Sequence, residues 1–507
     1  AAMFQFDPRM TSEFLRTERR ELLRSGASLM YDITAWSIPL LFDLVAYELT
    51  DARIPDDAQP LQAPVERQGG LVDAEGAVAY IVDGRSDATP IAAARLLEAG
   101  VQVRVALAPF RLEGRDHPRG SLVATVQDNR LTPLFSWKKT LDSVCRELGL
   151  AAQAVRTGLE VDPELPDLGG SNFPLLRRPR IALLTRGRTS ATSMGAIWHL
   201  LDQRMGIPVS LIDADRLAGT DLRAYNTLIV PSGFGPLPEE ALSRVRAWTQ
   251  AGGTLIAVGG AAAQLAGSDE SFVRARTLEA AAEDLEDYAR EVLLELAAHE
   301  TSLDEEALWS HEGARETAAP WQGMPDPPSK EDFDAQDAWR RRFMPQGAIL
   351  ACRADVTHWL TFGLSSERSN LPPAGTSAVY RDQSPAPMTA LYDSGVALMA
   401  REGVAAPVRL GVVVDSDQET EGFAQLGWSA IPAGKKLLLR ASGLLWPEAG
   451  QRLANTALVT QERVGRGQAI LFATDPVFRG AAWGTTRLLM NAVVFGPGLG
   501  ASSPIEP

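Results

Sequence analysis

Between Arg180 and Ala266, short apolar runs rich in β-branched residues alternate with stretches of helical periodicity: RIALLT, ATSMGAIWHLLDQRMG, PVSLID, NTLIVPSG, and TLIAVGG running into AAAQLA. Apolar runs of four to eight residues separated by helical segments predict a parallel sheet covered by helices. IALLT, VSLID, TLIVPSG and TLIAVGG are the expected strands. Ser190, Thr192 and Ser193 offer caps for a helix from Met194 to Arg204, and a helix from Glu239 to Gln250 is expected to stop at Gly252-Gly253.

The same pattern extends to both sides. Upstream, AVAYIVD, VQVRVAL, GSLVATV and QAVRTGL read as strands. IAAARLLEAG and residues 133–149 read as helices, the second with Leu134, Trp137, Leu141, Val144, Cys145 and Leu148 on one stripe. Residues 10–25 predict an exposed, charge-rich helix. The stretch Tyr31–Leu49 is densely apolar around a break at Pro39, and residues 52–75 read as a linker. Downstream, residues 268–345 carry the acidic helical pattern RTLEAAAEDLEDYAREVLLELAAHE and a Trp/Pro-rich loop, an insertion expected to pack as a satellite or lid. From 347 onward AILACRA, WLTFGL, TSAVY, RLGVVVD and KLLLRA read as strands. The chain then closes with a strand, a turn at Asp475-Pro476 and a helix that return to the central sheet.

Composition narrows the function classes. The 507 residues suffice for roughly two to four domains. A formal net charge of -15 argues against a general nucleic-acid binder, because phosphate neutralisation needs clustered Lys and Arg, and Arg177-Arg178-Pro179-Arg180 is too short a cluster. No apolar run approaches the roughly 20 residues that span a bilayer. Cys145 and Cys352 lie far apart in the chain, and a single disulfide between them cannot be inferred from sequence. Met3 follows two alanines, and no signal peptide is visible at the start.

Three places could carry chemistry. The turn Val258-Gly259-Gly260-Ala261-Ala262-Ala263 runs from a strand into a helix, the shape that exposes a nucleophile in an elbow, but it holds neither Cys nor Ser. Without a thiol or hydroxyl there is nothing to attack with, and the glycines are expected to serve close strand–helix packing. The loop Thr185-Arg186-Gly187-Arg188-Thr189-Ser190 could cradle an anion at a helix N-terminus, or simply cap that helix with solvated arginines. It lacks the glycine spacing of dinucleotide or P-loop motifs. Of the five histidines, only His199 with Asp202 has a spacing that could present two metal ligands on one helix face, and no third ligand can be placed. His299-Glu300 and His311-Glu312 are adjacent pairs that point apart on a helix. Trp198, Trp248 and Trp483 fall on apolar helix faces and are expected in the core; Trp321 and Trp339 in the insertion are less easily assigned. No catalytic or metal-binding residue is expected. The candidate ligand-binding residues are Arg186, Arg188, Ser190, Gly259 and Gly260.

Several blocks, in order and spanning nearly the whole chain, carry a family resemblance: YDITAWSIPLLF, PRGSLV at 118–123, RIALLTRGRTSATSMGAIWHLLDQRMGIPVSLID, AGGTLIAVGGAA and ATDPVFRGAAWGTTRLLMNAVVF. They resemble the C-terminal region of large bacterial M14-family zinc carboxypeptidases that carry a class I glutamine amidotransferase-like domain. The resemblance implies an α/β protein: a helical apolar segment over 1–55 packing on a neighbouring domain, a small α/β domain over 76–160, and a doubly wound, amidotransferase-like parallel-sheet domain over 176–267 and 346–507 with extra β strands. The acidic helical insertion covers 268–345. The family's zinc-binding H-x-x-E and later His belong to a peptidase domain that precedes this region and does not occur among these residues. Zinc is therefore expected only there, and no cofactor in this chain. Where a glutamine-hydrolysing relative has Cys in G-x-C-x-G, Ala261 stands here, so glutaminase activity is not expected. The implied function is a non-catalytic accessory region of an M14-type zinc metallocarboxypeptidase. Its partner would be the peptidase domain, contacted through Tyr31–Leu49, with peptide substrate met only indirectly, and the resemblance implies export. The alternative is a binding module for a small anionic or sugar-like ligand. A third possibility, an independent hydrolase, would need an organised pocket of carboxylates with perturbed pKa.

Overall fold

The structure is a computed structural model. It describes residues 7–502 apart from 8, 31–33, 45, 47–56, 58, 60–67, 73–74, 132–136, 161, 163–164, 234, 269, 300–328, 365–385, 394 and 417–423. The TSAVY strand, the Trp/Pro-rich loop with Trp321, His311, and much of Tyr31–Leu49 and of the 52–75 linker lie outside the described residues. The protein is α/β, with eleven helices among the described residues: α1 Ser12–Ser25, α2 Ile38–Leu41, α3 Ala88–Glu98, α4 Trp137–Glu147, α5 Ala191–Trp198, α6 Glu239–Gln250, α7 Gly260–Gly267, α8 Leu285–His299, α9 Lys330–Arg341, α10 Pro447–Leu453 and α11 Trp483–Leu499.

The N-terminal sheet holds β1 Gly70–Val72, β2 Ala79–Val82, β3 Arg104–Val105, β4 Leu122–Thr125 and β5 Ala151–Val155 in the order β1-β5-β2-β4-β3. Only β1 and β5 run parallel; the other pairs are antiparallel. The large sheet is built from β6 Ile181–Thr185, β7 Val209–Asp213, β8 Thr227–Val230, β9 Thr254–Val258, β10 Gln346–Ala354, β11 Ala386–Asp393, β12 Ala405–Leu410, β13 Ala457–Val464 and β14 Gly467–Phe472. Its main path is β11-β10-β12-β13-β14-β9-β8-β6-β7. One half, β14-β9-β8-β6-β7, is parallel. The other half is antiparallel. The parallel strands β8, β9 and β14 are buried along their whole length, as expected where both faces are covered by helices. The returning C-terminal strand completes the sheet through parallel pairing of β14 with β9.

Several local expectations are corrected. WLTFGL is not a strand: Trp359–Thr361 form a 3-10 turn capped by the His358 side chain. Leu360 and Phe362 are apolar because they enter the core, and their carbonyls accept from Asn491 Nδ2 of α11 at 2.8 and 2.9 Å. The Met194–Arg204 helix starts earlier, at Ala191 with Ser190 as cap, and continues as a π-helix over His199–Met205. RLGVVVD is two strands broken at Gly411, whose φ is 100°. Trp198 is 36% exposed rather than core, whereas Trp248 is buried. Cys145 and Cys352 are both buried free thiols.

Two buried arginines tie the units together. Arg487 on α11 is buried and donates to the carbonyls of Gly84 (2.8 Å) and Ser86 and to Asn491 Oδ1 at 3.1 Å. One side chain thereby fastens the N-terminal unit to the last helix of the large sheet. Arg452 on α10 is 3% exposed and donates to Asp337 Oδ1 at 2.8 Å and to Glu279 Oε1 at 2.7 Å. It pins the inserted helix α9 to the large-sheet unit.

The segment around Pro39 packs on this chain. Ala35, Leu40 and Leu41 bury against Ile349, Leu391 and Ala482, and Thr389 donates its hydroxyl to the Leu40 carbonyl at 2.5 Å. Trp36, Phe42 and Leu44, on the same segment, are 38%, 37% and 51% exposed.

Candidate functional site

All four loops after β6, β8, β9 and β14 leave the same edge of the parallel half. The chain passes from β6 outward to β7 and then returns to β8 on the other side of β6. Successive crossovers therefore leave in opposite directions, and a crevice opens between the loops after β6 and β8. That is where open α/β sheets bind ligands.

The structure brings most of the sequence candidates to this edge. Thr189 bridges to Gly233, and the Ser190 N–H donates to the Ser232 carbonyl at 2.7 Å. The Gly259 N–H donates to the Phe472 carbonyl at 2.8 Å, and the Gly260 N–H donates to Ser232 Oγ at 3.2 Å. Arg188 and Thr189 line an apolar cleft of about 90 Å³ together with Pro231, Gly233, Leu237, Ala261 and Leu265. Arg186 is exposed at φ 59° in the turn and does not line the cleft. The Ser190 hydroxyl is engaged at 2.9 Å with Thr192 and caps the Ser193 N–H, so the local sequence spends it on helix initiation.

The glycines at the elbow are required by close approach. Gly259 sits at φ 52°, ψ -117°, a conformation nearly closed to L side chains. A Cβ on Gly260 would lie 2.4 Å from the Gly233 carbonyl oxygen, and a Cβ on Gly233 would lie 2.5 Å from that of Arg188. Three backbone segments are thus stacked against one another with no room for a side chain.

A polar chain crosses beneath the loops. The Ser232 N–H donates to Ser193 Oγ at 3.3 Å, and the Ser193 hydroxyl hydrogen-bonds to the Asp475 carboxylate. Asp475, which follows β14, also accepts from the Val477 N–H at 3.0 Å. Burial pushes its carboxyl above the usual range, the two hydrogen bonds oppose this, and nearby Asp393 adds to the rise. Sequence reasoning missed Ser193, Ser232 and Asp475 as a group. The signal available was that each follows a predicted parallel strand or opens the helix behind it.

No imidazole joins this chain among the described residues. His117 stacks on Phe110 at 4.8 Å between centroids, His358 accepts from the Leu360 N–H at 3.2 Å, and His199 is exposed. No group of three or more His, Cys, Asp or Glu able to hold a metal occurs among the described residues. No helix among them is long and apolar enough to cross a membrane.

No family model and no curated protein matches the sequence. Solved structures do. A ThuA-like protein from Bacteroides uniformis is 10% identical, covering 64% of this chain and 93% of its own, with a TM-score of 0.29. The exo-β-1,4-mannosidase Op5Man5 from an Opitutaceae bacterium is 12% identical over 62% of this chain and 34% of its own, with a TM-score of 0.25. A β-galactosidase from Bacillus circulans is 10% identical over 63% of this chain and 32% of its own, with a TM-score of 0.23. The match thus spans about a third of either glycosidase. At such scores the likenesses bear on neither ligand nor chemistry.

Proposed function

We propose that this chain is a non-catalytic, amidotransferase-like module that serves as an accessory region of an M14-type zinc metallocarboxypeptidase. The closed elbow carries this reading. Ala261 stands where an amidotransferase-type elbow presents its Cys, and its methyl group has nothing to attack with. Any zinc chemistry belongs, on this reading, to the peptidase domain, which also meets the peptide substrate. Trp36, Phe42 and Leu44, exposed on a segment anchored by Leu40 and Leu41, supply an apolar contact for that domain. The test is co-sedimentation with a purified M14-type peptidase domain, together with metal content, ammonia release from glutamine and peptide cleavage by the chain alone. Association that is lost in the Trp36→Ser/Phe42→Ser/Leu44→Ser variant, with no ammonia or peptide product, supports the proposal. Stoichiometric zinc with chelator-sensitive cleavage by this chain alone overturns it.

A second reading rests on the apolar cleft beside Arg188 and Thr189: a binding module for a small anion or sugar. Its walls are mostly apolar, so it favours an anion with an apolar body over a sugar. Loss of binding in Arg188→Ala would support it.

A further inference from the structure

The apolar cleft beside Arg188 reaches from the loop edge in between two helices. Leu242 and Val245 line it from α6, Gln264 and Leu265 from α7, and Val230 and Leu255 of β8 and β9 close its floor. The floor is core, with Leu255 0% exposed. The surface a ligand can reach is on Pro236, Leu237 and Leu242, none of them buried. Apolar side chains left open in a recess stay wet at a cost that a fitting apolar group removes. The cleft holds about 90 Å³. A cavity of about 150 Å³ takes benzene, so an aromatic ring is too large and a branched body of about four carbons fits.

The polar side chains of the lining set the rest of the ligand. The Arg188 guanidinium is exposed and has no hydrogen-bond or ion-pair partner among the described residues. Gly235 sets its position: a Cβ built there would lie 2.9 Å from Arg188 Nη1 and 3.4 Å from its Cδ. The arginine therefore lies across a bare glycine that itself lines the cleft. The Gln264 amide and the Ser268 hydroxyl, both part-exposed, also have no partner among the described residues. No carboxylate of the described residues lines the cleft. A full positive charge with neutral donors beside a narrow apolar slot selects an anionic head on a short apolar body. A sugar would press its hydroxyls against hydrocarbon, and an inorganic anion would leave the slot unfilled.

We propose that the cleft binds a short branched-chain aliphatic carboxylate, its alkyl end between Leu237 and Leu242 and its carboxylate on the Arg188 guanidinium. This rests on the binding-module reading of the cleft and is independent of the accessory reading.

The experiment titrates the full chain with isovalerate, its neutral isostere isovaleramide, acetate, inorganic phosphate, glucose and phenylacetate, read by calorimetry and by ligand-detected NMR. Isovalerate is expected to bind saturably, with a Kd between about 0.1 and 1 mM for a ligand of this size. Arg188→Ala, at an exposed position, is expected to weaken it about five- to ten-fold. Gly235→Ala keeps the charge but pushes the guanidinium off its seat, and is expected to weaken binding about three-fold at an unchanged melting temperature. Leu237→Ala is expected to weaken isovalerate about three-fold and to admit phenylacetate, which the unaltered chain excludes. Isovaleramide binding as tightly as isovalerate, phenylacetate preferred by the unaltered chain, or an affinity that Arg188→Ala leaves unchanged overturns the proposal. Acetate, phosphate or glucose binding as tightly as isovalerate overturns it too, while leaving the wider binding-module reading in place. No saturable binding of any of them up to about 10 mM removes both.

Discussion

Gly260→Ala tests the closed elbow with a single added methyl group. Two effects of opposite sign compete. Gly260 opens the helix Gly260–Gly267, and replacing Gly by Ala inside a helix gains up to about 1 kcal/mol of propensity, less in the first turn. Against this, the new Cβ would lie 2.4 Å from the Gly233 carbonyl oxygen, when ordinary contact begins about 1 Å further out. Gly233 cannot retreat freely: it is bridged to Thr189, and its own Cα faces the Arg188 carbonyl. Overpacking against immobile backbone costs about 1–3 kcal/mol, so the clash outweighs the propensity gain, and a net loss of about 1–2 kcal/mol is expected.

The same helix supplies the control. At Gly267 an added Cβ meets only the Thr277 side chain, at 3.5 Å, so Gly267→Ala should be neutral or stabilising by up to about 1 kcal/mol. For a unit of this size each kcal/mol moves the melting temperature by about 2–4 °C. Differential scanning calorimetry should therefore show Gly260→Ala lowered by roughly 2–8 °C and Gly267→Ala unchanged or raised. If both variants rise together, the elbow has room for a side chain at 260, and the close stacking of the three backbone segments is refuted.

Three further outcomes follow from other buried groups. Asp337→Ala removes the bidentate partner of Arg452, which is 3% exposed; a loss of about 3–5 kcal/mol is expected by urea denaturation, and Arg452→Met/Asp337→Leu should recover most of it. His358 is pushed down to about 4, chiefly by burial, so its neutral form is favoured in the folded chain. Stability should be full above pH 6.5 and fall as pH drops towards 4, when protonation of Nδ1 breaks the bond from the Leu360 N–H, and His358→Gln should flatten that decline in melting temperature. The Asp475 carboxyl is raised by burial, so the folded chain holds its proton more tightly than the unfolded chain and stability is lost as pH climbs above the ordinary carboxylate value of 3.8. Asp475→Asn should therefore raise the melting temperature at pH 7 and leave it unchanged at pH 3.

What was legible in the sequence was what local pattern determines. IALLT, TLIV and TLIAV are recognisable because strands covered on both faces are apolar throughout, and the order of strands and helices already implied the parallel half. The elbow's emptiness was legible too, since no Cys or Ser stands at 259–263. Apolarity alone misled where a different geometry buries the same residues. WLTFGL is a capped turn rather than a strand because α11 supplies Asn491 to its carbonyls. The Pro39 segment is too apolar to stand exposed, as the sequence suggested, but Leu40 and Leu41 find their cover on this chain's own sheet, with Trp36, Phe42 and Leu44 left outward among its described residues.

The cavity beneath α8, lined by Tyr288, Arg409 and Trp428 among others, was not legible at all, for a physical reason. Tyr288 and Trp428 are separated by most of the insertion and several strands, and each alone reads as a core aromatic. Only the fold puts the phenol, the indole and Arg409 around one space. The insertion is thus more than a satellite decorating the sheet. The Arg452–Asp337 pair holds its helix α9 against α10. A loop would have sufficed to connect β9 to β10. Locking α9 to α10 through a buried ion pair costs desolvation that a mere connection does not require.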